Sequence, residues 1–285
     1  MVTGKQQAKG KVILAGAGPG DPELITVKAT RYLQQADVVL TDRLVSEEIL
    51  LEYVRPETEI VYVGKQCRRG VSTPQQTINE LIVQYASEGK LVVRLKGGDV
   101  SIFSNIMDEL ETVVAHNIPY EIIPGVTAAL GAAAYAGIPL TARGFSTAVR
   151  LLTYYKFDIV PEEYWKELAE TDDTLVFYMS SETLGKVVEK LTENKIAADK
   201  LLAVVEQATT PLQQVHIGNL YEYENQLQDK SFISPSLVII GKVVGLHQQF
   251  AWLQNSNSSE YYFKPVNQLT TIENLNKATL HATRI

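Results

Sequence analysis

Apolar positions recur along this chain at two spacings. KVILAG (11–16), DVVLTD (37–42), EIVYVG (59–64), LVVRLKG (91–97) and YEIIPG (120–125) are short runs rich in β-branched residues, which predicts strands. Between them lie TVKATRYLQQA (26–36), SEEILLEYV (46–54), TPQQTINELIVQYASEG (73–89) and IMDELETVVAHN (106–117). These place apolar residues three or four apart with polar residues outward, which predicts helices. Thr73 reads as an N-cap with Pro74 in the first helical position, and Gly89 reads as a helix stop. Alternation of strand and helix predicts a mainly parallel sheet with helices on both faces.

A second series follows GIPLTARGFS. STAVRLLTYY (146–155), TLVFYM (174–179), LLAVVEQAT (201–209), QQVHIGNL (213–220) and PSLVIIGKVV (235–244) read as strands, with the helix ETLGKVVEKLTENK (182–195) between two of them. The expected division is a polar arm at 1–10, an α/β domain at 11–143, a second α/β domain at 144–253 and an extension at 254–285. A cleft between two such domains is a usual ligand site. The extension is rich in Asn and Thr with weak periodicity, and reads as poorly ordered or docked on a neighbour.

Composition narrows the function classes. The uncharged run at 122–142 has the length of a membrane span, but it is rich in Ala and Gly, and Pro124 and Pro139 leave too short a helix between them. It reads as a buried helix with turns around it. The formal net charge is −7, which argues against general binding to nucleic acid or an anionic membrane and leaves room for a local basic cleft. The single cysteine, Cys67, forms no intrachain disulfide, so a reducing, cytoplasmic setting is expected. Four scattered histidines and one cysteine give no zinc-site spacing, and no metal is expected. The N-terminal ten residues lack an apolar signal core.

The loop in VILAGAGPGDPEL (12–24) sets the chemical question. A dinucleotide fingerprint needs G-x-G-x-x-G after a strand. Gly16 and Gly18 fit, but the third position is Asp21, and the third glycine comes early, at Gly20 behind Pro19. A pyrophosphate would meet Asp21 and Pro22 where it needs bare N–H groups and no negative charge. The loop is either a tight strand-to-helix turn or a close-approach site for a different ligand.

It is followed, in order, by TDRLVS (41–46), VGK (63–65), VVRLKGGD (92–99), PGVTAALGAAAYAGIPLTARG (124–144), LVFYM (175–179) and SPSLVIIGKVV (234–244). With AGAGPGDPELITVKA (15–29), these segments resemble the tetrapyrrole methylase family, from about residue 11 to residue 250. The glycine loop is shared across that family. DRLVS and AYAGIPLTARG point to members that methylate uroporphyrinogen III.

The resemblance implies two α/β domains of the tetrapyrrole methylase type, with the active site in the cleft between them. It implies transfer of methyl groups from S-adenosylmethionine to C2 and C7 of uroporphyrinogen III, giving precorrin-2 and S-adenosylhomocysteine for sirohaem or cobalamin synthesis. It also implies a homodimer. Two rivals remain open: a methyltransferase acting on a later precorrin, and a non-catalytic S-adenosylmethionine-binding regulator.

Residue by residue, the resemblance assigns Pro19, Gly97, Gly98, Asp99, Ile102, Thr127, Ala128, Met179 and Ala208 to the cofactor. Each has physical sense. Glycines after a strand admit backbone contacts, Asp99 accepts from an ammonium or hydroxyl, Thr127 caps a helix whose N-terminus favours a carboxylate, and Met179 offers an adaptable wall. Their plain alternatives are turn glycines, an N-cap and a core methionine. The donor's methyl is already activated, so positioning supplies at best about 7–11 kcal/mol, and a base must take the proton that the substrate loses as the methyl is added.

Asp42 and Lys65 are the acid–base residues that the resemblance implies; alternatively Asp42 caps the next helix and Lys65 is solvated. A polycarboxylate substrate needs cations. Arg43, Lys65, Arg68, Arg69, Arg94, Lys96, Arg143 and Arg150 are candidates, with Arg43 and Arg143 preferred. KQCRRG (65–70) reads as a solvated loop or a cleft rim. The chain departs from the family at VSIFSNIMDEL (100–110): Asn105 stands where relatives carry an arginine. There Asp108, a substrate-binding candidate, and Glu109 replace a glutamate pair, while Ile106 and Met107 replace glycines and favour helix. TYY (153–155) also replaces a common Thr-Gly-His.

Overall fold

The computed structural model describes residues 10–63, 73–155 and 160–263. They divide into one compact unit running to Thr127 together with Phe263, and a second from Ala128 to Tyr262.

The first unit alternates β1 (Lys11–Gly16), α1 (Val27–Leu33), β2 (Val38–Thr41), α2 (Glu47–Tyr53), β3 (Glu59–Tyr62), α3 (Gln75–Ser87), β4 (Leu91–Lys96), α4 (Ile106–Ala115) and β5 (Tyr120–Ile123). The strands lie in the order β3-β2-β4-β1-β5, all parallel. Period-two alternation sends Ile13, Ala15, Val39, Val93 and Leu95 to one face, where Ala29, Leu33, Ile49 and Leu50 of α1 and α2 cover them. Val12, Leu14, Val38, Leu40 and Val92 go to the other, under Ile78, Ile82 and Val113 of α3 and α4. Each buried Val, Leu or Ile side chain among these contributes roughly 1.5–3 kcal/mol. Helix starts follow local chemistry: the Thr26 and Ser46 side chains accept from the N–H of Ala29 and Glu48. The start of α3 differs from the sequence expectation. Pro74 itself is the N-cap residue, extended at ψ 143°, and no side chain caps the helix. Gly89 ends it at φ +82°, with the N–H of Lys90 reaching back to the Tyr85 carbonyl.

The second unit contains α5 (Ala128–Tyr135), β6 (Val149–Thr153), α6 (Glu162–Glu170), β7 (Thr174–Tyr178), α7 (Leu184–Glu193), β8 (Leu201–Glu206), β9 (Gln214–Asn219) and β10 (Ser236–Gly241). Its sheet, β6-β7-β10-β8-β9, is parallel only at β6–β7 and antiparallel elsewhere. Helices α6 and α7 cover one face, and α5 covers the other through Ala129, Ala132 and Ala133 packed with Val176, Ala203 and Ile239. This packing places α5 in the second unit, ahead of the junction at 143/144 expected from the sequence. Helix α6 was not expected. Its signal was present: Pro161, two acidic residues in the first turn, then buried Trp165, Leu168 and Ala169. No helix among the described residues is long and apolar enough to cross a membrane, and α5 spans only eight residues of the uncharged run.

The start of the extension is ordered on its own chain, which corrects the reading of 254–263 as poorly ordered or docked elsewhere. The Asn255 amide accepts from the Val215 N–H at 2.7 Å and donates to the Val215 carbonyl at 3.0 Å, imitating a paired strand on the open edge of β9. Gln207 brackets the next turn, donating to Glu260 O at 3.0 Å and accepting from Tyr262 N at 2.7 Å.

In the first unit, Glu121 of β5 gathers Lys11 of β1 at 2.8 Å, Tyr32 at 2.6 Å, and Lys28 of α1. Hydrogen bonds from Lys11, Lys28 and Tyr32 hold its carboxyl down at about 2, below its usual 4.5. A depressed carboxylate contributes stability above its unfolded pKa and loses it as pH falls through the folded one. Glu121→Gln is therefore expected to flatten the acid limb of stability between pH about 4.5 and about 2. The effect should shrink with added salt, because the cluster is solvent-accessible. Urea midpoints across that window check it, and an unchanged acid limb would contradict it.

Candidate functional site

In open α/β sheets, ligands lie at the carboxyl ends of strands, where consecutive helices diverge to opposite faces. Strand β4 is flanked by two such places. Its following helix α4 lies on one face, while α1 and α2, which follow its neighbours β1 and β2, lie on the other.

Between the ends of β2 and β4 is a cavity of about 230 Å3. Asp42, Arg43 and Leu44 line it from the β2 side, Arg94, Lys96 and Gly97 from β4, and Ile102, Phe103, Ser104 and Asn105 from the loop after β4. Gln75 and Ile78 close it from α3. The Arg94 guanidinium donates to Asp42 Oδ1 at 2.6 Å through Nη2 and to Glu109 Oε1 at 2.8 Å through Nε. Nη1 donates to the Leu40 and Leu95 carbonyls at 3.3 and 3.2 Å. The Lys96 ammonium takes the other Glu109 oxygen at 3.0 Å. Glu109 is fully buried and Arg94 nearly so. Burial pulls the Arg94 guanidinium down, but the Asp42 and Glu109 carboxylates outweigh it and the net direction is up. Lys96 goes the other way: burial and the adjacent guanidinium hold its ammonium below the usual value against the pull of Glu109.

This arrangement settles one alternative. Ser46, not Asp42, caps α2, and the Asp42 side chain turns to Arg94 instead. Arg94 and Lys96 are bound to protein carboxylates, and so is Arg150, to Asp173 and Glu167. Each of these three charges is thus already balanced within the protein. The Arg43 guanidinium reaches the Phe263 carbonyl at 3.4 Å. Asn105, at φ +59°, donates to Asp108 Oδ2 at 3.4 Å, and the cavity lining stops short of Asp108. Lys65, Arg68 and Arg69 lie outside the described residues.

Between the ends of β1 and β4 the backbone itself closes the gap. Gly18 and Gly98 exchange hydrogen bonds at 3.1 and 2.7 Å, as an isolated antiparallel bridge. Gly16, Gly98 and Gly125 meet main chain to main chain, with no space for a side chain. Asp99 ties the same loops: Oδ2 accepts from Gly125 N at 2.8 Å, and Oδ1 from the N–H and hydroxyl of Ser101. Burial pushes its carboxyl up, but these donors bring the net below the usual carboxylate range. Asp99 thus holds the loop; the ligand contact expected of it competes with three protein donors. Pro19 is half-buried beside this knot, and Thr127 is the last residue before α5.

In the second unit, the N–H of Ala129, one residue after Ala128, is taken by the Tyr178 hydroxyl at 3.1 Å. Met179 follows β7, exposed, at φ +54°. Ala208 lies between Gln207 at φ +47° and Thr209 at φ +66°. Arg143 is exposed on the turn closed by the Ala142–Ser146 bridge. Non-glycine residues avoid the left-handed region, and those held there cluster at functional sites. Among the described residues, Asn117 and Lys195 are the two such positions just past helix ends; Phe103, Asn105, Met179, Gln207 and Thr209 lie on or beside residues named from the sequence. No group of three or more metal-ligating side chains assembles among the described residues.

A family model described as Tetrapyrrole (Corrin/Porphyrin) Methylases matches residues 11–224. The chain belongs to the tetrapyrrole methylase family. Its α/β fold is that family's fold. The siroheme synthase of Acinetobacter baylyi is 47% identical over 245 residues, 86% of this chain and 53% of the relative. The chain thus spans about half the length of the curated relatives it matches. The structure of uroporphyrin-III-C-methyltransferase from Thermus thermophilus aligns with TM-score 0.70 and 34% identity, over 86% of this chain and 98% of that one. A Thermus thermophilus uroporphyrin-III C-methyltransferase complexed with S-adenyl homocysteine aligns at 0.69 and 33%, over 82% and 93%. A cobalt precorrin-4 methyltransferase of cobalamin biosynthesis aligns at 0.73 and 29%, over 82% and 95%.

For this methylase, sequence reasoning named Asp42, Arg43, Arg94, Lys96, Gly97, Ile102 and Asn105, all of which line the cavity, but missed Leu44, Gln75, Ile78, Phe103 and Ser104. It also missed the buried role of Glu109. A signal was available: Arg94 and Lys96 share one face of a central, apolar strand, and such buried cations require carboxylates. The glycine knot yields a direct test. A Cβ on Gly125 would stand 2.3 Å from Gly98 O and 2.9 Å from the Gly16 main chain. Gly125→Ala is expected to destabilise the protein by about 3 kcal/mol, as overpacking against backbone does. A lowered urea midpoint at unchanged slope checks this, and an unchanged midpoint would show that the loops yield.

Proposed function

We propose that this chain transfers methyl groups from S-adenosylmethionine to C2 and C7 of uroporphyrinogen III, giving precorrin-2 and S-adenosylhomocysteine. The observation that carries the reading is Asp42 of DRLVS, presented in a cavity at the carboxyl end of the sheet with one oxygen fixed and the other available. Its Oδ1 is taken by Arg94, and no hydrogen bond to Oδ2 is present among the described residues.

The residues fit the cofactor. Backbone meets backbone at Gly16, Gly98 and Gly125, which leaves main-chain polar groups at the loops rather than side chains. In this proposal Pro19, Gly97, Gly98, Ile102, Thr127, Ala128, Met179 and Ala208 contact it, as the family resemblance implies, and Asp99 shapes the loop. When bound, S-adenosylmethionine supplies a methyl group on a cationic sulfur. The chain's own part is to hold the nucleophilic pyrrole carbon in line, worth at most about 7–11 kcal/mol. As the new carbon–carbon bond forms and the carbon–sulfur bond breaks, a proton leaves the substrate, and Asp42 Oδ2 receives it. Arg43 and Arg143 bind substrate carboxylates as charge-assisted donors. Lys65 remains the partner acid–base group by resemblance.

Likeness to the cobalt precorrin-4 methyltransferase supports a second reading, action on a later precorrin. Turnover on uroporphyrinogen III compared with turnover on later precorrins separates the two. Calorimetric titration is expected to show S-adenosylhomocysteine binding, and a null titration would remove the whole reading. Asp42→Ala is expected to lose roughly 100- to 10,000-fold in turnover with near-normal S-adenosylhomocysteine affinity. Full turnover would take Asp42 out of the chemistry. Arg143→Ala is expected to raise the apparent KM for uroporphyrinogen III about tenfold or more, the value of one charged hydrogen bond. An unchanged KM would refute that contact.

A further inference from the structure

Arg94 and Glu109 are buried, charged, and outside the acid–base pair implied by resemblance. Three features separate this pair from an ordinary core ion pair. First, every nitrogen of the Arg94 guanidinium is engaged: Nε by Glu109, Nη2 by Asp42, and Nη1 by the Leu40 and Leu95 carbonyls. The planar fork cannot rotate without breaking bonds on three sides. Second, Glu109 is itself pinned, with Lys96 Nζ on its second oxygen at 3.0 Å and no exposed surface. Third, the one member that reaches solvent is Asp42, whose side chain is 24% exposed against 3% for Arg94. The rigidity of the buried set is therefore delivered to a single accessible carboxylate at the cavity.

We infer that Arg94 is a positioning residue for the reaction: a guanidinium locked by Glu109 fixes Asp42 Oδ1 and thereby aims Oδ2 at the substrate. This rests on the reading of Asp42 given under Proposed function. Lysine cannot replace Arg94 in full, because one ammonium cannot reach Glu109, Asp42 and two carbonyls in a fixed plane. Misplacement of a reacting group by about 1 Å costs up to about 100-fold in rate, which sets the scale of the effect.

The test is a double-mutant cycle on turnover, with S-adenosylhomocysteine affinity and thermal unfolding measured on every variant. Arg94→Met is expected to lower kcat by about 10- to 100-fold while KM and S-adenosylhomocysteine affinity stay within about twofold. Arg94→Lys is expected to recover part of the loss. In an Asp42→Asn background the same Arg94→Met change is expected to cost less than about twofold further, because coupled residues are not additive. An equal loss in both backgrounds, or a rise in KM with kcat intact, overturns the positioning role and leaves Asp42 untouched. Wild-type turnover by Asp42→Asn is a different outcome: it sinks the reading of Asp42, and the inference with it. If Arg94→Met shows no unfolding transition, Glu109→Gln replaces it in the cycle. That variant keeps an oxygen for Arg94 Nε but loses the charge, and the same coupling to Asp42 is expected, with additivity again refuting it.

Discussion

Placing a guanidinium and an ammonium at the end of a central, otherwise apolar strand is the constraint on which the first unit's site depends. Strand β4 has a neighbour on either side and helices on both faces, so the Arg94 and Lys96 side chains are almost wholly withdrawn from water. Buried charge of this kind is tolerated only when paired and hydrogen-bonded. Glu109 of α4 and Asp42 after β2 supply the anions, and the Leu40 and Leu95 carbonyls supply the remaining acceptors. Removing one partner of such a set typically costs about 3–5 kcal/mol, so the cluster ties the end of the sheet to α4 and fixes where Asp42 stands.

The other side of β4 meets its neighbours through main chain alone. The Gly18–Gly98 bridge and the contact of Gly16, Gly98 and Gly125 join the loops after β1, β4 and β5 with no side chain between them. Asp99 then braces this junction through Gly125 and Ser101. One flank of β4 is thus held by charge and the other by the absence of side chains. Left-handed residues at Phe103 and Asn105 shape the loop that covers the first flank. These strained positions persist because the packing around them determines them more strongly than their own preference does.

Much of the fold was legible in periodicity. All ten strands among the described residues fall within runs identified from the sequence, since β-branched runs bounded by turns carry a strong signal. What local pattern could not convey was strand direction: the second sheet is mostly antiparallel, and that depends on pairing between distant segments. The short helix α6 was missed although Pro161, its acidic first turn and its apolar face at Trp165, Leu168 and Ala169 were readable. The docked tail was hidden, because Asn255 and Gln207 act through side-chain bonds to backbone that no periodicity reports. The glycine loop, DRLVS and GGD were legible as site elements because they interrupt periodicity at strand ends. The fate of the charges was legible only in part: the apolar strand around Arg94 and Lys96 called for carboxylate partners, but which carboxylates, and what surrounds Arg143 and Arg150, depend on distant residues.

By itself, the sequence determined the family, the alternation of strands and helices, and the positions of the loops that follow the strands. These follow from side-chain shape and hydrophobic spacing, which act locally. Only the tertiary structure decided which charged groups face one another. It turned Asp42 from a helix-cap candidate into the half-buried end of a buried ion network, and made Arg94 the centre of that network. The reason is physical: a charge is assigned its role by its desolvation and by its nearest opposite charge, and both are set by residues far away in the chain.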